Sequence, residues 1–300
     1  MSYLDVAQQG KNQWWRYLIA VPLILFVWLV FGSLPFVAAA IVLNVDGDPA
    51  TNADLTTAQL TGVDPIWSFL LLMLSFVVFL GGTAAAVVLI HRRRFVSLIT
   101  PANAINWRRV GQGLAVWIVL VAAMSVVESV LYPGRYQLTF DAARFIPFVL
   151  ASLVFIPIQT SAEELFFRGY VLQSVGLLVK NPLVLSFVSG FLFMAPHLAN
   201  PEVAVNFWLL ALYYFSFGAF LAYVTLKDNS LELALGIHAG NNLFTAIFAN
   251  YVGGALATPA IFTVAELDAV YNLVGLLASI GLFYLWFFGP FRPKKLEHLY

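Results

Sequence analysis

Long apolar segments recur along the whole of this 300-residue chain. A helix that crosses the hydrocarbon core of a bilayer needs about 20 mostly apolar residues. We identify eight such segments, at residues 17–44, 66–90, 108–131, 145–178, 183–199, 204–226, 231–252 and 269–289. Only 10% of the residues are charged, whereas a soluble domain carries about 25%. The sequence therefore predicts an all-α, polytopic integral membrane bundle of about eight transmembrane helices, and it excludes a water-soluble enzyme.

The charge balance and the missing cysteines exclude further classes. Fifteen basic and fifteen acidic side chains cancel, so the chain lacks the basic field typical of nucleic-acid binding, and we expect no nucleic-acid partner. The absence of cysteine excludes disulfides, thiol catalysis and cysteine zinc sites. Because no loop is large enough for a folded domain, we expect residues 1–300 to form a single membrane domain in contact with the lipid bilayer.

Basic residues predict the orientation of the bundle, because Lys and Arg concentrate in cytoplasmic loops. With the N-terminus in the cytoplasm, only Arg135 and Arg144 face outward, while Arg168 lies within a span. The other twelve basic residues then face inward: Lys11, Arg16, Arg92, Arg93, Arg94, Arg108, Arg109, Lys180, Lys227, Arg292, Lys294 and Lys295. Most acidic residues fall in the opposite loops. We expect both termini to lie in the cytoplasm.

Ionisable residues inside the spans are the places to look for chemistry, because burying them in a membrane is costly. The fourth span contains Glu163, Glu164 and Arg168. Glu164 and Arg168 are four residues apart, in the favoured order for a helical ion pair. Glu163 lies about 140° around the helix from Arg168, so it is left without that partner and suits a general base. The alternative is a structural ion pair beside an incidental acid.

Two further spans carry histidine. His197 ends the run Phe193-Met194-Ala195-Pro196-His197, and His238 shares a helix face with Asn242. Taken singly, either histidine could be an ordinary packing residue. Glu163 and His197 lie equally far from the turn near Lys180, however, so an antiparallel hairpin would bring them to the same depth. An acid, two histidines and an amide can activate a water and stabilise an oxyanion, or hold a metal with its water.

The small residues Gly236 and Gly240 are four apart on the span that carries His238. This spacing permits close helix packing. Glu128 is a solitary acid near the outer end of the third span, and we interpret it as interfacial or paired.

The ordered set Glu163-Glu164-x-x-x-Arg168, Phe193-x-x-x-His197 and His238-x-x-x-Asn242 resembles the motifs of the CPBP family. This family, also called ABI, contains CAAX proteases and bacteriocin-processing enzymes, and it is related to the Ras-converting CAAX endopeptidase. The resemblance spans roughly residues 160–245, within a predicted motif-bearing core at about 145–252. It implies an intramembrane endopeptidase in a prokaryotic plasma membrane, with a cavity open towards the cytoplasm.

The resemblance also implies roles for the motif residues. Glu163 would activate the attacking water, and His197 would hold that water or a metal. His238 and Asn242 would line the oxyanion site or complete the coordination, while Glu164, Arg168 and Phe193 would brace the helices. If a metal is used, its ligands would be Glu163, His197 and His238, and it would be Zn²⁺ or another divalent ion. Glu164 is then the candidate base, and a metal-free glutamate mechanism is the alternative.

The substrate class stays open at this point: a peptide or protein that is C-terminally prenylated or membrane-anchored. The oligomeric state is equally open. Two other functions compete with hydrolysis. One is a non-catalytic immunity or scaffold protein of the same fold. The other is a proton-coupled transporter, since buried Glu and His also form proton relays. The chain lacks the His-Glu-x-x-His and Gly-x-Ser-x-Gly signatures of other proteases.

Overall fold

The computed structural model describes residues 2–45, 47–54, 59–255 and 258–290. Over this part of the chain, eight long helical segments match the eight apolar segments predicted. They are α1 (Trp14–Val45), α2 (Pro65–Ile90), α3 (Trp107–Leu131), α4 (Ala142–Val175), α5 (Pro182–His197), α6 (Phe207–Asp228), α7 (Glu232–Ile247) and α8 (Ala269–Phe288). The all-α membrane fold is confirmed. The number of complete crossings and the cytoplasmic placement of both termini stay predictions.

The helices fall into two length classes. Six of those in the described chain are long and apolar enough to cross a membrane. The other two, α5 and α7, have 16 residues each and therefore extend about 24 Å at 1.5 Å per residue. These two shorter helices carry His197 and His238.

Short polar side chains start most of the helices. Asp64 accepts a hydrogen bond from the backbone N–H of Ile66 at the start of α2, and Asp141 accepts one from Ala143 at the start of α4. Asn residues act in the same way before α3, α5 and α6. These caps satisfy backbone donors that have no partner inside the helix. They explain why polar residues stand just outside the apolar segments.

Small strands lie in the loops at one end of the bundle. Asn52–Asp54 (β1) pairs antiparallel with Gln59–Thr61 (β2). Tyr136–Leu138 (β3) pairs antiparallel with Phe262–Val264 (β5), which pairs parallel with Ala249–Tyr251 (β4). The loops that carry these strands follow α1, α3 and α7. They therefore lie at the end opposite the loop that contains Arg92 to Arg94.

Glycines bring α3 and α7 into close contact, as the spacing of Gly236 and Gly240 predicts. A Cβ atom at Gly236 would lie 2.0 Å from the carbonyl oxygen of Val110, and one at Gly240 would lie 3.0 Å from that of Leu114. Gly113 of α3 approaches Leu233 in the same manner. α7 is therefore packed backbone to backbone against α3, which positions His238 and Asn242 rigidly.

Candidate active site

The helix α4 changes its winding at the acidic motif. It is α-helical from Ala142 to Glu164 and π-helical from Leu165 to Val171. A π turn widens the helix by one residue and is frequent at functional sites. Arg168 lies within this turn, and its Nη1 donates to Glu164 Oε1 at 2.7 Å. The predicted ion pair is therefore confirmed, and it forms across a π turn.

Glu164 lies at the centre of a buried network of charged and polar groups. Its Oε1 also accepts a hydrogen bond from His238 Nδ1 at 2.7 Å, so it joins α4 to α7. Arg168 Nη2 donates to the carbonyl oxygen of Gly218 in α6 at 3.0 Å. The guanidinium also lies over the ring of Phe193 in α5, 4.3 Å from its centroid. These contacts are the bracing expected of Glu164, Arg168 and Phe193, because they connect four helices around one carboxylate.

Glu163 has a different environment. Its Oε2 lies 3.5 Å from His238 Nε2, and no hydrogen-bond donor in the described chain reaches this oxygen. The two nitrogens of His238 thus face the two adjacent glutamates. Glu164 Oε2 also has no donor within the described chain, but of the two glutamates only Glu163 has access to a further ligand. Its side chain lines a cavity.

His197 reaches the same cavity from the end of α5. Its Nδ1 donates to the carbonyl oxygen of Phe193 at 2.7 Å. A carbonyl oxygen only accepts, so the proton of the neutral ring is on Nδ1 and the lone pair is on Nε2. The ring packs against Phe193 and Tyr214, with centroid distances of 4.3 and 4.6 Å. His197 is therefore held in one orientation.

Asn242 is fixed by a chain of amides that the motif analysis missed. Its Nδ2 donates to Gln159 Oε1 at 3.0 Å, and its Oδ1 accepts from Asn241 Nδ2 at 3.2 Å. Asn241 in turn accepts from Trp117 Nε1 at 3.2 Å. Gln159 is one helical turn before Glu163, and Asn241 is adjacent to Asn242. Their positions beside motif residues could therefore have identified both as site residues from the sequence.

The cavity has a volume of about 260 Å³. Glu163, His197, His238 and Asn242 all line it, so the predicted convergence of these four residues is confirmed; the hairpin geometry had placed only Glu163 and His197. The cavity continues past them to polar residues of the loops at the β-strand end of the bundle, among them Asn250.

Glu202 is a buried acid of this cavity that sequence reasoning did not select. Its carboxylate accepts hydrogen bonds from Tyr214 Oη, from Asn200 Nδ2 and from the backbone N–H of Ala255. It therefore ties the α5–α6 loop to α6 and to the loop after β4. Nothing in the local sequence separates Glu202 from an ordinary loop acid, because its partners are distant in the chain.

Glu163, His197 and His238, the predicted metal set, line one cavity, and metal binding by them stays a prediction. Over the described residues, no three His, Cys, Asp or Glu side chains are grouped as metal ligands. His238 Nδ1 is used on Glu164 and His197 Nδ1 on the Phe193 carbonyl oxygen, so a metal could meet only the Nε2 atom of each ring. A catalytic zinc needs three protein ligands around one point.

Glu128 is paired, as expected. It accepts hydrogen bonds from Arg135 Nη1 at 2.8 Å and from Tyr136 Oη at 2.7 Å. A smaller cavity of about 100 Å³ lies beside it and shares Asn241 and Thr245 with the cavity of Glu163. Glu128 thus stabilises the β-strand end of the bundle and does not face Glu163.

Comparison with known proteins agrees with this site. The sequence model described as type II CAAX prenyl endopeptidase Rce1-like matches residues 142–244, the stretch that contains Glu163, His197, His238 and Asn242. An uncharacterized protein of Bacillus subtilis (strain 168), YyaK, is 37% identical over 295 residues and aligns with 96% of each chain. No solved structure matches the chain.

The motifs, the apolar helices and these matches agree on a multi-pass membrane protein, and the Bacillus relative points to a prokaryotic plasma membrane. The chain belongs to the Rce1-like family of type II CAAX prenyl endopeptidases.

Proposed function

We propose that the protein is an intramembrane endopeptidase in which Glu163 activates the attacking water. The observation that carries this proposal is the environment of Glu163. Its Oε2 has no hydrogen-bond donor within the described chain, lies 3.5 Å from His238 Nε2 and belongs to a polar cavity inside an apolar bundle. A carboxylate placed in this way can bind a water and accept its proton.

In the first step, a water lies between Glu163 and His197. Glu163 accepts one proton as the water oxygen forms a bond to the carbonyl carbon of the substrate. His197 Nε2 accepts a hydrogen bond from the other water hydrogen, which orients the attacking lone pair. The electrons of the carbonyl double bond move to its oxygen, and an oxyanion forms.

Asn242 stabilises that oxyanion, and His238 adds a second donor from Nε2 when both of its ring nitrogens carry a proton, because its Nδ1 proton is used on Glu164. One Nδ2 hydrogen of Asn242 is used on Gln159, so the second is available as a donor. Both groups are held before the substrate binds, and donors of this kind cost no reorganisation during reaction. When the oxyanion collapses, the C–N bond breaks and Glu163 returns its proton to the leaving amine. The products are a carboxylic acid and an amine.

We propose that this reaction proceeds without a metal. The support is that, over the described residues, no three His, Cys, Asp or Glu side chains are grouped as metal ligands. We expect cleavage to survive dialysis against EDTA and 1,10-phenanthroline, with less than stoichiometric zinc in the purified protein. Loss of cleavage on chelation and recovery with Zn²⁺ would contradict this part of the proposal.

The peptidase itself is tested by comparing membrane-proteome N- and C-termini in cells that carry wild type, Glu163→Gln or Glu266→Gln at equal abundance. Glu266 is an exposed loop acid and serves as the control. We expect a set of termini that disappears with Glu163→Gln and persists with Glu266→Gln. Identical termini in all three strains, with folded protein in each, would refute hydrolysis and favour a non-catalytic role.

A further inference from the structure

The catalytic cavity reaches one end of the bundle. Its lining includes Asn200 and Glu202 of the α5–α6 loop, residues 250–255 after α7, and Asn272 in the first turn of α8. All these positions lie at the helix ends that carry the small β-sheets. In α6 the lining residues are Tyr213, Tyr214 and Phe217, which belong to the half of that helix nearest the same end.

The two ends of the bundle differ in their number of basic residues. The loops at the β-strand end contain two basic residues, Arg135 and Arg144, within the described chain. The opposite end carries seven basic residues from α2 onward: Arg92, Arg93, Arg94, Arg108, Arg109, Lys180 and Lys227. Because basic loops stay in the cytoplasm, the cavity faces the extracytoplasmic side. The family resemblance implies the opposite side.

The end of the bundle that carries the seven basic residues, here called the basic end, is covered by the N-terminal segment. Tyr3 is 1% exposed, and its hydroxyl lies 2.6 Å from the carbonyl oxygen of Leu98 and 3.2 Å from that of Arg168. Its backbone N–H donates to Asn229 Oδ1 at 2.7 Å. Leu4 is buried beside it. A side chain that fills the space behind Arg168 blocks a route to Glu163 from this end.

The lining also restricts the substrate. It contains the carboxylates of Glu163 and Glu202, and no Lys or Arg belongs to it within the described residues. Such a site has no cation to bind a free C-terminal carboxylate, and its acids repel one. Peptide segments with neutral or basic side chains meet no such penalty. The segment that this cavity favours is thus one that does not carry a terminal carboxylate.

We infer that the site is entered from the extracytoplasmic face and that its substrate is an internal, neutral or basic segment of an exported or membrane-anchored chain. This inference rests on the proposed peptidase function and specifies its substrate class. The cytoplasmic C-terminus of a prenylated protein lies on the wrong side of the membrane and ends in the wrong charge for this cavity.

The direction of access can be tested independently of hydrolysis. The chain has no cysteine, so a single introduced cysteine is the only thiol that a maleimide can label. Thr245→Cys probes the cavity, Ala265→Cys the β-strand end and Ala104→Cys the basic end. Intact cells are treated with a membrane-impermeant maleimide and compared with permeabilised cells. We expect Thr245→Cys and Ala265→Cys to be labelled in intact cells, and Ala104→Cys to lose labelling unless the cells are permeabilised.

Three outcomes would overturn the inference on access. Labelling of Thr245→Cys only after permeabilisation places the mouth in the cytoplasm, and labelling of Ala104→Cys in intact cells reverses the bundle. A Thr245→Cys protein that is unlabelled in both conditions has no open cavity.

The substrate class is tested by the positions of the termini that depend on Glu163. We expect them in extracytoplasmic or outer-leaflet segments, away from native C-termini. Cut sites in cytoplasmic segments, or at native C-termini, would refute the class while leaving the peptidase intact. If no terminus depends on Glu163, the proposed function fails and the substrate class fails with it, whereas the maleimide result still decides the direction of access.

Discussion

Gly236→Ala tests whether the contact between α3 and α7 positions the active site. The added Cβ would lie 2.0 Å from Val110 O and 2.7 Å from Leu114 N, both backbone atoms of α3. Real Cβ contacts are not shorter than 3.0 Å, so the two helices must separate by about 1 Å. Backbone cannot move aside as a flexible side chain would, and the displacement is therefore borne by α7 as a whole.

Two effects of known size follow from that displacement. Overpacking of a well-packed interior costs about 1–3 kcal/mol of stability. His238 and Asn242 move with α7, so the spacings of 2.7 Å to Glu164 and 3.5 Å to Glu163 change. A misplacement of 1 Å in catalytic geometry can cost about 100-fold in rate. We expect Gly236→Ala to lower the Tm in detergent and to reduce cleavage of a mapped substrate by about that factor.

Gly111→Ala is the matched control. Gly111 is on the same helix pair, but no atom lies within 4 Å of a Cβ placed there. Its replacement improves helix propensity by up to about 1 kcal/mol, so its Tm should equal or exceed that of wild type with unchanged cleavage. A Gly236→Ala protein with wild-type Tm and wild-type cleavage would refute the reasoning, because α7 would then tolerate the displacement.

Three further predictions concern groups around the site. Arg168→Gln leaves Glu164 as a buried charge without its cation, and we expect a loss of about 3–5 kcal/mol in reversible unfolding; an unchanged stability would contradict the network described above. Burial, together with Arg93 and Arg16 nearby, lowers the pKa of His91 below its ordinary 6.5. The unfolded chain then binds the proton first, so wild-type stability should fall as the pH drops below about 6.5. His91→Phe should flatten that decline in Tm between about pH 7.5 and 5.5, and an equal slope in both proteins would exclude His91 as its source. Tyr3→Phe should cost about 1 kcal/mol through its lost hydrogen bonds, and Tyr3→Ala about 3–5 kcal/mol through the cavity left behind; equal Tm values for the two variants would show that the ring does not fill the space behind Arg168.

Local rules were sufficient for the parts of the site that lie on one helix or one hairpin. Glu164 and Arg168 pair because they are four residues apart. His197 reaches the cavity of Glu163 because the two residues are equally far along the chain from the turn near Lys180. Gln159 could have been found in the same way, since it is one turn before Glu163. The π turn of α4 was not predicted, because the apolar pattern of the fourth span does not distinguish π from α winding.

Contacts between distant segments had no signal in the sequence. Glu202 joins Tyr214 of α6 to Ala255 of the loop after β4, and Phe193 packs against the rings of both His197 and His238. The sequence shows which polar side chains are present, but only the packing of the helices decides whether they approach one position.

The sequence by itself determined the class of this protein and the chemistry available to it. Apolar segments of spanning length leave a helical membrane bundle as the only fold that satisfies the backbone in lipid. Polar side chains are rare inside such spans, so an acid, two histidines and an amide could be identified as candidate site residues. The tertiary structure alone decided that His238 joins Arg168 on Glu164 and that Glu163 lines the cavity, because His238 is 74 residues from Glu164 in the chain. It also decided which end of the bundle the cavity reaches, because that depends on how loops far apart in the chain pack over the helix ends.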